Sequence, residues 1–156
     1  MISIDDLKNV PLLQGLPDQV FEKLLKIAQL ESVKEGDVVY DAEQEAENLY
    51  MVKNGKVVLE SDLMEGTAVT LASIKPGYIF GWYGMIPSSH HSMRAVATTD
   101  SDLIVLPGYE LRMFMDDDHT FGYQFMNKIF MLMKLRLDRR TSQFLKVLAK
   151  HPDLQG

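Results

Sequence analysis

Between Phe80 and Thr99 the chain reads FGWYGMIPSSHHSMRAVATT, and the residue types that do chemistry gather there. From Pro76 to Met93, 18 residues pass without a Lys, Arg, Asp or Glu in a chain that is 24% charged. The segment then presents His90, His91 and Arg94 just before a strand-like run. Trp82 and Tyr83 offer aromatic faces on which a planar ligand would stack. These residues point to recognition of a small anionic or aromatic molecule. The same Trp82 also suits a core or lid position, and His90 and His91 also suit an ordinary loop.

The sequence argues against catalysis. A jelly-roll metal centre needs a His-x-His pair, a nearby carboxylate and a further histidine, but the four histidines are His90, His91, His119 and His151. Adjacent residues on a strand point to opposite faces, so the first two do not form such a pair. No Ser-His-Asp arrangement or P-loop spacing occurs. The absence of cysteine removes disulfides, thiolate metal sites and cysteine nucleophiles together. Neither an enzyme nor a metal site is expected.

A chain of 156 residues suits one domain with a proper core, and a composition 46% hydrophobic and 9% aromatic is that of an ordered globular protein. The start, MISIDDLKNV, lacks the basic and apolar regions of a signal peptide, and the glycines and prolines of the uncharged segment do not suit a membrane span. A soluble, cytoplasmic protein without membrane contact is expected. The net charge of −6 is uneven: residues 120–151 carry seven basic side chains against Asp138 alone, whereas residues 1–119 carry 9 basic and 20 acidic ones. That tail reads as a solvated helix flank, or else as the footprint of an anionic surface.

Several elements must position the segment. LPDQVFEKLLKIAQ sets Val20, Phe21, Leu24, Leu25 and Ala28 on one face of a short helix entered at Pro17 and Asp18. From Val33 to Pro107, short apolar runs alternate with turn signals about every 8 to 12 residues, the rhythm of a β-sandwich or barrel. Asn54-Gly55 in LYMVKNGKVVLE reads as a tight two-residue hairpin with positive φ at both positions. After Gly108 the helical period returns. Tyr123, Met126, Phe130, Met133, Leu137, Arg140, Phe144 and Val147 form a heptad seam, and Phe125, Ile129 and Leu132 lie beside it. Two apolar stripes call for two partners, the β-domain and a second copy of the chain, so a parallel homodimer through this helix is expected. Burial of both stripes within one monomer is the alternative.

In their order, KEGDVVY, LYMVKNGKVVL and KPGYIFG resemble the cyclic-nucleotide-binding domain shared by catabolite activators and protein kinase A regulatory subunits, over about residues 7 to 148. The resemblance implies a mainly β fold with flanking helices: a β-roll, or double-stranded jelly roll, with a short N-terminal helix and a long C-terminal helix. Residues 1–118 would form the roll with its N-terminal helical segment, and 119–150 the dimerisation and lid helix of the same domain. It also implies a phosphate-binding cassette between two strands and cAMP or cGMP as ligand. In the family pattern a glycine and a glutamate precede an arginine, a small residue and an alanine. Gly81 matches the glycine, and Gly84 and Met85 fall where backbone N–H donors meet the phosphate. His91 takes the arginine's place, Ser92 the small residue's and Trp82 the glutamate's.

These departures shape the functional expectation. An indole accepts no hydrogen bond from a ribose hydroxyl, and a histidine with an ordinary pKa near 6.5 is mostly neutral at pH 7. Losing two charge-assisted contacts of ~1.5–3 kcal/mol each weakens nucleotide binding about a hundredfold to ten-thousandfold. The expected protein is a regulatory sensor for a small anionic or aromatic ligand, held by Gly81, Trp82, Gly84, Met85, His91, Ser92 and Arg94, with cAMP or cGMP binding weak or lost. Two alternatives stand beside it. One is a ligand-free dimeric interaction module with an unidentified protein partner, and the other a genuine cAMP or cGMP receptor in which Arg94 replaces the missing cation. KVLAKHPDLQG leaves no room for a helix-turn-helix, so direct DNA binding is not expected. Glu43 stands in DAEQEAE where the family has a turn glycine, and a different loop path is expected there.

Overall fold

The structure, a computed structural model, describes residues 1–154. Helix α1, Ile4–Lys8, is closed by a capping box in which Ser3 and Asp6 exchange hydrogen bonds. A 3-10 turn at Pro11–Leu13 leads to α2, Asp18–Ile27, with Pro17 at its entrance. Helix α2 buries Val20, Phe21 and Leu24, as the spacing of its apolar residues predicts.

Eight antiparallel strands follow: β1 Gln29–Val33, β2 Val38–Tyr40, β3 Asn48–Asn54, β4 Val57–Met64, β5 Thr67–Ile74, β6 Ile79–Phe80, β7 Arg94–Ala97 and β8 Ser101–Pro107. They form two four-stranded sheets in the orders β1-β8-β3-β6 and β2-β7-β4-β5. This is the β-roll that the resemblance implies, with the short helices before it and the long one after it. Helix α3, Gly108–Asp117, leads into the 30-residue α4, His119–Leu148, capped by Asp118 through its carboxylate and the Phe121 N–H at 3.0 Å.

Along β3, β6 and β8 the first sheet is covered on both faces, while its edge strand β1 is largely exposed. Leu49, Met51, Ile104 and Leu106 face the helices and pack with Leu24, Leu111, Phe121 and Phe125. Their strand neighbours Tyr50, Val52, Leu103 and Val105 face the interior of the roll. The second sheet closes that interior with Val57, Leu59, Ala95 and Ala97 and turns its other face to solvent.

Asn54-Gly55 does not make the expected hairpin. β3 and β4 belong to different sheets, so the turn carries the chain from one layer to the other. Only Gly55 has positive φ, at 87°, and a side chain there would press on the Asp100 carbonyl and on Ser101. The glycine serves close packing between two turns. The real hairpin is β4–β5, through Glu65 and Gly66.

Of the two stripes on α4, one is covered. Phe125 and Ile129 are buried against the body, with Leu132 partly so. At 3.6 residues per turn the heptad seam lies about 90° around the helix. Its apolar members, Tyr123, Met126, Phe130, Met133, Leu137, Phe144 and Val147, are between 47% and 75% exposed.

Candidate functional site

The cassette begins where β6 ends. Gly81 has φ 74° and ψ 26°, a left-handed conformation that opens the 3-10 turn Trp82–Met85, and a β-carbon there would lie 2.8 Å from the Tyr50 ring. Gly84 lies directly on the Asn48 backbone, and Gly108, the first residue of α3, lies on the Gly84 carbonyl. That carbonyl also accepts a hydrogen bond from Arg112 Nη1 at 3.1 Å. Three backbone segments thus meet without side chains between them. The Gly84 N–H, expected to face an anion, donates instead to the Gly81 carbonyl at 3.0 Å, and Met85 is buried among the core residues next to the helices.

The far end of the cassette is stitched to the loop after β2. His91 N–H donates to the Gln44 carbonyl at 2.9 Å, the His91 carbonyl accepts from Glu43 at 2.8 Å, and Ala46 donates to Ser89 at 2.8 Å. His90 makes a bridge to Glu45 and its side chain is exposed. Glu43 itself has φ 65°, and Ser88 has φ 56°. Glu43 therefore adopts the left-handed backbone that a glycine at this turn would supply, at a cost to a residue with a β-carbon.

Where the sequence predicts an anion partner, the structure has a packed ring. His91 is 3% exposed and stacks on Tyr40 with ring centroids 3.5 Å apart and planes within 6°. Burial lowers its pKa from 6.5 to about 4, and Nδ1 has no hydrogen-bond partner. The imidazole is therefore neutral at physiological pH. Burial also pushes the Tyr40 phenol up. With Leu59, Trp82, Tyr83, Ser92 and Met93, these rings leave a cavity of about 10 Å³, room for at most one water. The Ser92 hydroxyl donates to the Tyr83 hydroxyl across it at 3.4 Å.

Arg94 does not join the site that the sequence predicts. It alternates with the inward Ala95 and Ala97 and so lies on the outer face of β7, opposite Glu60 on β4, whose carboxylate it meets at 3.0 Å. It faces away from Trp82 and His91 and is not the replacement cation. The structure groups Gly81, Trp82, His91 and Ser92 around the small cavity and leaves Gly84, Met85 and Arg94 off its wall.

A different arginine reaches the cassette. Arg136 of α4 stacks over the Trp82 ring at 4.2 Å and donates through Nη2 to the Ile79 carbonyl at 2.7 Å. Burial and the nearby Arg140 lower its pKa to about 10, so it remains charged. Arg140 donates through Nη2 to Met93 Sδ at 3.3 Å. Sequence reasoning passed over Arg136, although it extends the buried stripe Phe125, Ile129, Leu132 by one further step of four. Among the described residues no group of acids and histidines suits a metal ion, and no helix is long and apolar enough to cross a membrane.

An eight-stranded roll with a glycine-led turn before its seventh strand and a long helix closing on that turn is the architecture of cyclic-nucleotide receptors. The sequence model for the cyclic nucleotide-binding domain matches residues 30–118, and the chain belongs to that family. It is 30% identical over 100 residues to the cyclic AMP receptor protein of Thermus thermophilus, covering 64% of this chain and 46% of that protein. The chain thus spans less than half the length of this curated relative. The crystal structure of the Thermus thermophilus catabolite activator protein superposes with a TM-score of 0.74 at 25% identity, over 89% of this chain and 63% of that one. A cyclic nucleotide-binding domain from Methylobacillus flagellatus reaches a TM-score of 0.79 at 17% identity, over 92% and 80% of the two chains, and shares the fold.

Two outcomes test this geometry. His91 has a depressed pKa when folded, so the unfolded chain binds the extra proton between pH 6.5 and about 4 and stability falls as pH drops through that window. The full loss is on the order of 3 kcal/mol. Asp6, Asp100 and Asp102, held below the usual carboxylate range, contribute losses mainly at lower pH. Urea unfolding at stepped pH should show this slope in the native protein and lose it in His91→Phe; an unchanged slope in the variant would place the titration elsewhere. Trp82 is the chain's one tryptophan, so its emission reads the arginine contact directly. Arg136→Ala should shift that emission to the red and cost about 1–3 kcal/mol, with Arg136→Lys recovering little of either. Native emission from the alanine variant would show that the contact is not formed in solution.

Proposed function

We propose that the chain is a regulatory signalling domain that works as a homodimer through α4, and that its cassette no longer grips cAMP or cGMP tightly. The observation that carries this reading is the filled cavity. A site for a drug-sized or nucleotide-sized ligand takes roughly 300–1,000 Å³, whereas the Tyr40–His91 stack and its neighbours leave about 10 Å³. The neutral imidazole supplies no charge for a phosphate, Trp82 supplies no acceptor for a ribose, and Arg94 is engaged with Glu60 on the other face. The chain's role is read as regulatory because its fold family is one of receptors and because nothing in the cassette is arranged as a nucleophile with its base.

The homodimer is supported by the seam. Seven large apolar side chains at heptad spacing stand exposed along one face of α4, more than a soluble monomer ordinarily presents in one strip. The ligand-free platform draws on the same two observations, because a filled cavity stabilises the roll whether or not a molecule binds elsewhere. It differs from the sensor in leaving the long helix unresponsive to any small molecule.

Calorimetry with cAMP and with cGMP should reveal no binding tighter than micromolar, and a nanomolar constant for either would overturn the closed-cassette reading. In sedimentation the native chain should run as a dimer, and Phe130→Glu, which sets two carboxylates against each other across the seam, should run as a monomer. An unchanged mass for that variant would move the interface off α4.

A further inference from the structure

Next to the closed cassette lies a larger opening. A cleft of about 440 Å³ runs between α4 and β5, in the size range of ligand sites. Its α4 side carries Arg136, Arg139 and Arg140 on successive turns, Arg140 being also the polar member of the heptad seam, and Lys75 extends from the end of β5. None of the residues lining it is an Asp or Glu, in a chain whose net charge is −6. Among the described residues the three arginines form no ion pair, whereas Lys134, on another face of the same helix, pairs with Asp138. The rest of the lining is largely apolar, from Leu71, Ile74, Leu132 and Leu135, with Tyr78 at one end. β5 is the edge of its sheet, so part of its backbone hydrogen-bonding capacity is not used by a neighbouring strand.

We propose that this cleft binds an organic anion with a planar apolar body, its phosphate, sulfonate or carboxylate held by Arg136, Arg139 and Arg140 and its body lying on Leu71, Ile74 and the two leucines of α4. Three guanidiniums within two turns repel one another, and an anion among them removes that repulsion while forming charge-assisted hydrogen bonds. Burial lowers the pKa of Arg136 first, and the charges of Arg140 and Arg139 lower it further. The anion is gripped from the helix, and the cassette takes no part in holding it. A filled channel at Tyr40 and His91 is therefore no obstacle. Arg136 touches Trp82 on one side and lines the cleft on the other, so an occupant is felt at the cassette through one side chain.

The inference rests on the reading of the chain as a regulatory domain whose cassette no longer grips cyclic nucleotides, and the test separates the two. The full chain is titrated calorimetrically with 1-naphthyl phosphate, 1-naphthol, inorganic phosphate and cAMP, alongside the Arg139→Gln/Arg140→Gln and Phe130→Glu variants. Naphthyl phosphate should bind at least about tenfold more tightly than naphthol or inorganic phosphate, and at least about tenfold more weakly to the double arginine variant than to the native chain. Circular dichroism and Tm verify that both variants are folded; Arg139 and Arg140 are exposed on the helix surface. Absence of heat, equal affinity in the arginine variant, or inorganic phosphate binding as well as naphthyl phosphate overturns the cleft. Loss of binding in Phe130→Glu with the arginine variant unaffected puts the probe on the seam and overturns it too. Nanomolar cAMP binding that ignores the arginine change defeats the proposed function, while the naphthyl phosphate result still decides the cleft.

Discussion

The arrangement depends on one guanidinium. Arg136 is carried by the covered stripe of α4 into contact with the Trp82 indole and the Ile79 carbonyl, and no acid meets it among the described residues. Taking that charge out of water is costly, and the indole face and a charge-assisted hydrogen bond offset part of the cost. The family pattern places a glutamate where this chain has Trp82, and a glutamate would neutralise the arginine. An indole keeps the contact between helix and cassette but leaves the charge unbalanced. The helix is docked, and a positive field remains on the side where α4 stands away from β5.

The cassette keeps its shape for reasons that do not involve a ligand. Gly84 is pressed between Asn48 and Gly108, and its carbonyl is tied by Arg112, so the turn is part of the joint between the roll and α3. The side chains that face the interior of the roll are free to differ from the family pattern as long as that backbone joint survives. Tyr40, His91 and Met93 then complete the interior with Phe80 and Leu59, and the stacked imidazole behaves as an aromatic of the core. Shape and binding chemistry are thus separable in this fold: glycines secure one, and side chains facing the interior supply the other.

The architecture was legible because it rests on local signals. Turn residues between Val33 and Pro107 marked the strands, and the 3.6-residue period marked α2 and α4. The spacing also distinguished the covered stripe of Phe125, Ile129 and Leu132 from the seam. The capping box of Ser3 and Asp6, which marks α1, is an equally local signal that apolar periodicity alone does not carry. Asn54-Gly55 misled because turn chemistry says that the chain reverses but not whether the two strands share a sheet. Arg94 was misplaced although RAVA carries the answer: two small residues inward require the arginine outward. The packing of His91 on Tyr40 was out of reach, since it joins residues 51 positions apart through a loop whose course no short-range rule dictates.

That loop has a cost of its own. Glu43 and Ser88, on either side of the strip where residues 43–46 meet residues 89–91, hold left-handed backbones at roughly 1–2 kcal/mol each. Only a handful of hydrogen bonds hold the strip against this tension, whereas long ladders clamp the two sheets. The strip is therefore where the roll breathes first, and it is the gate through which solvent would reach the buried imidazole while the rest of the barrel stays shut.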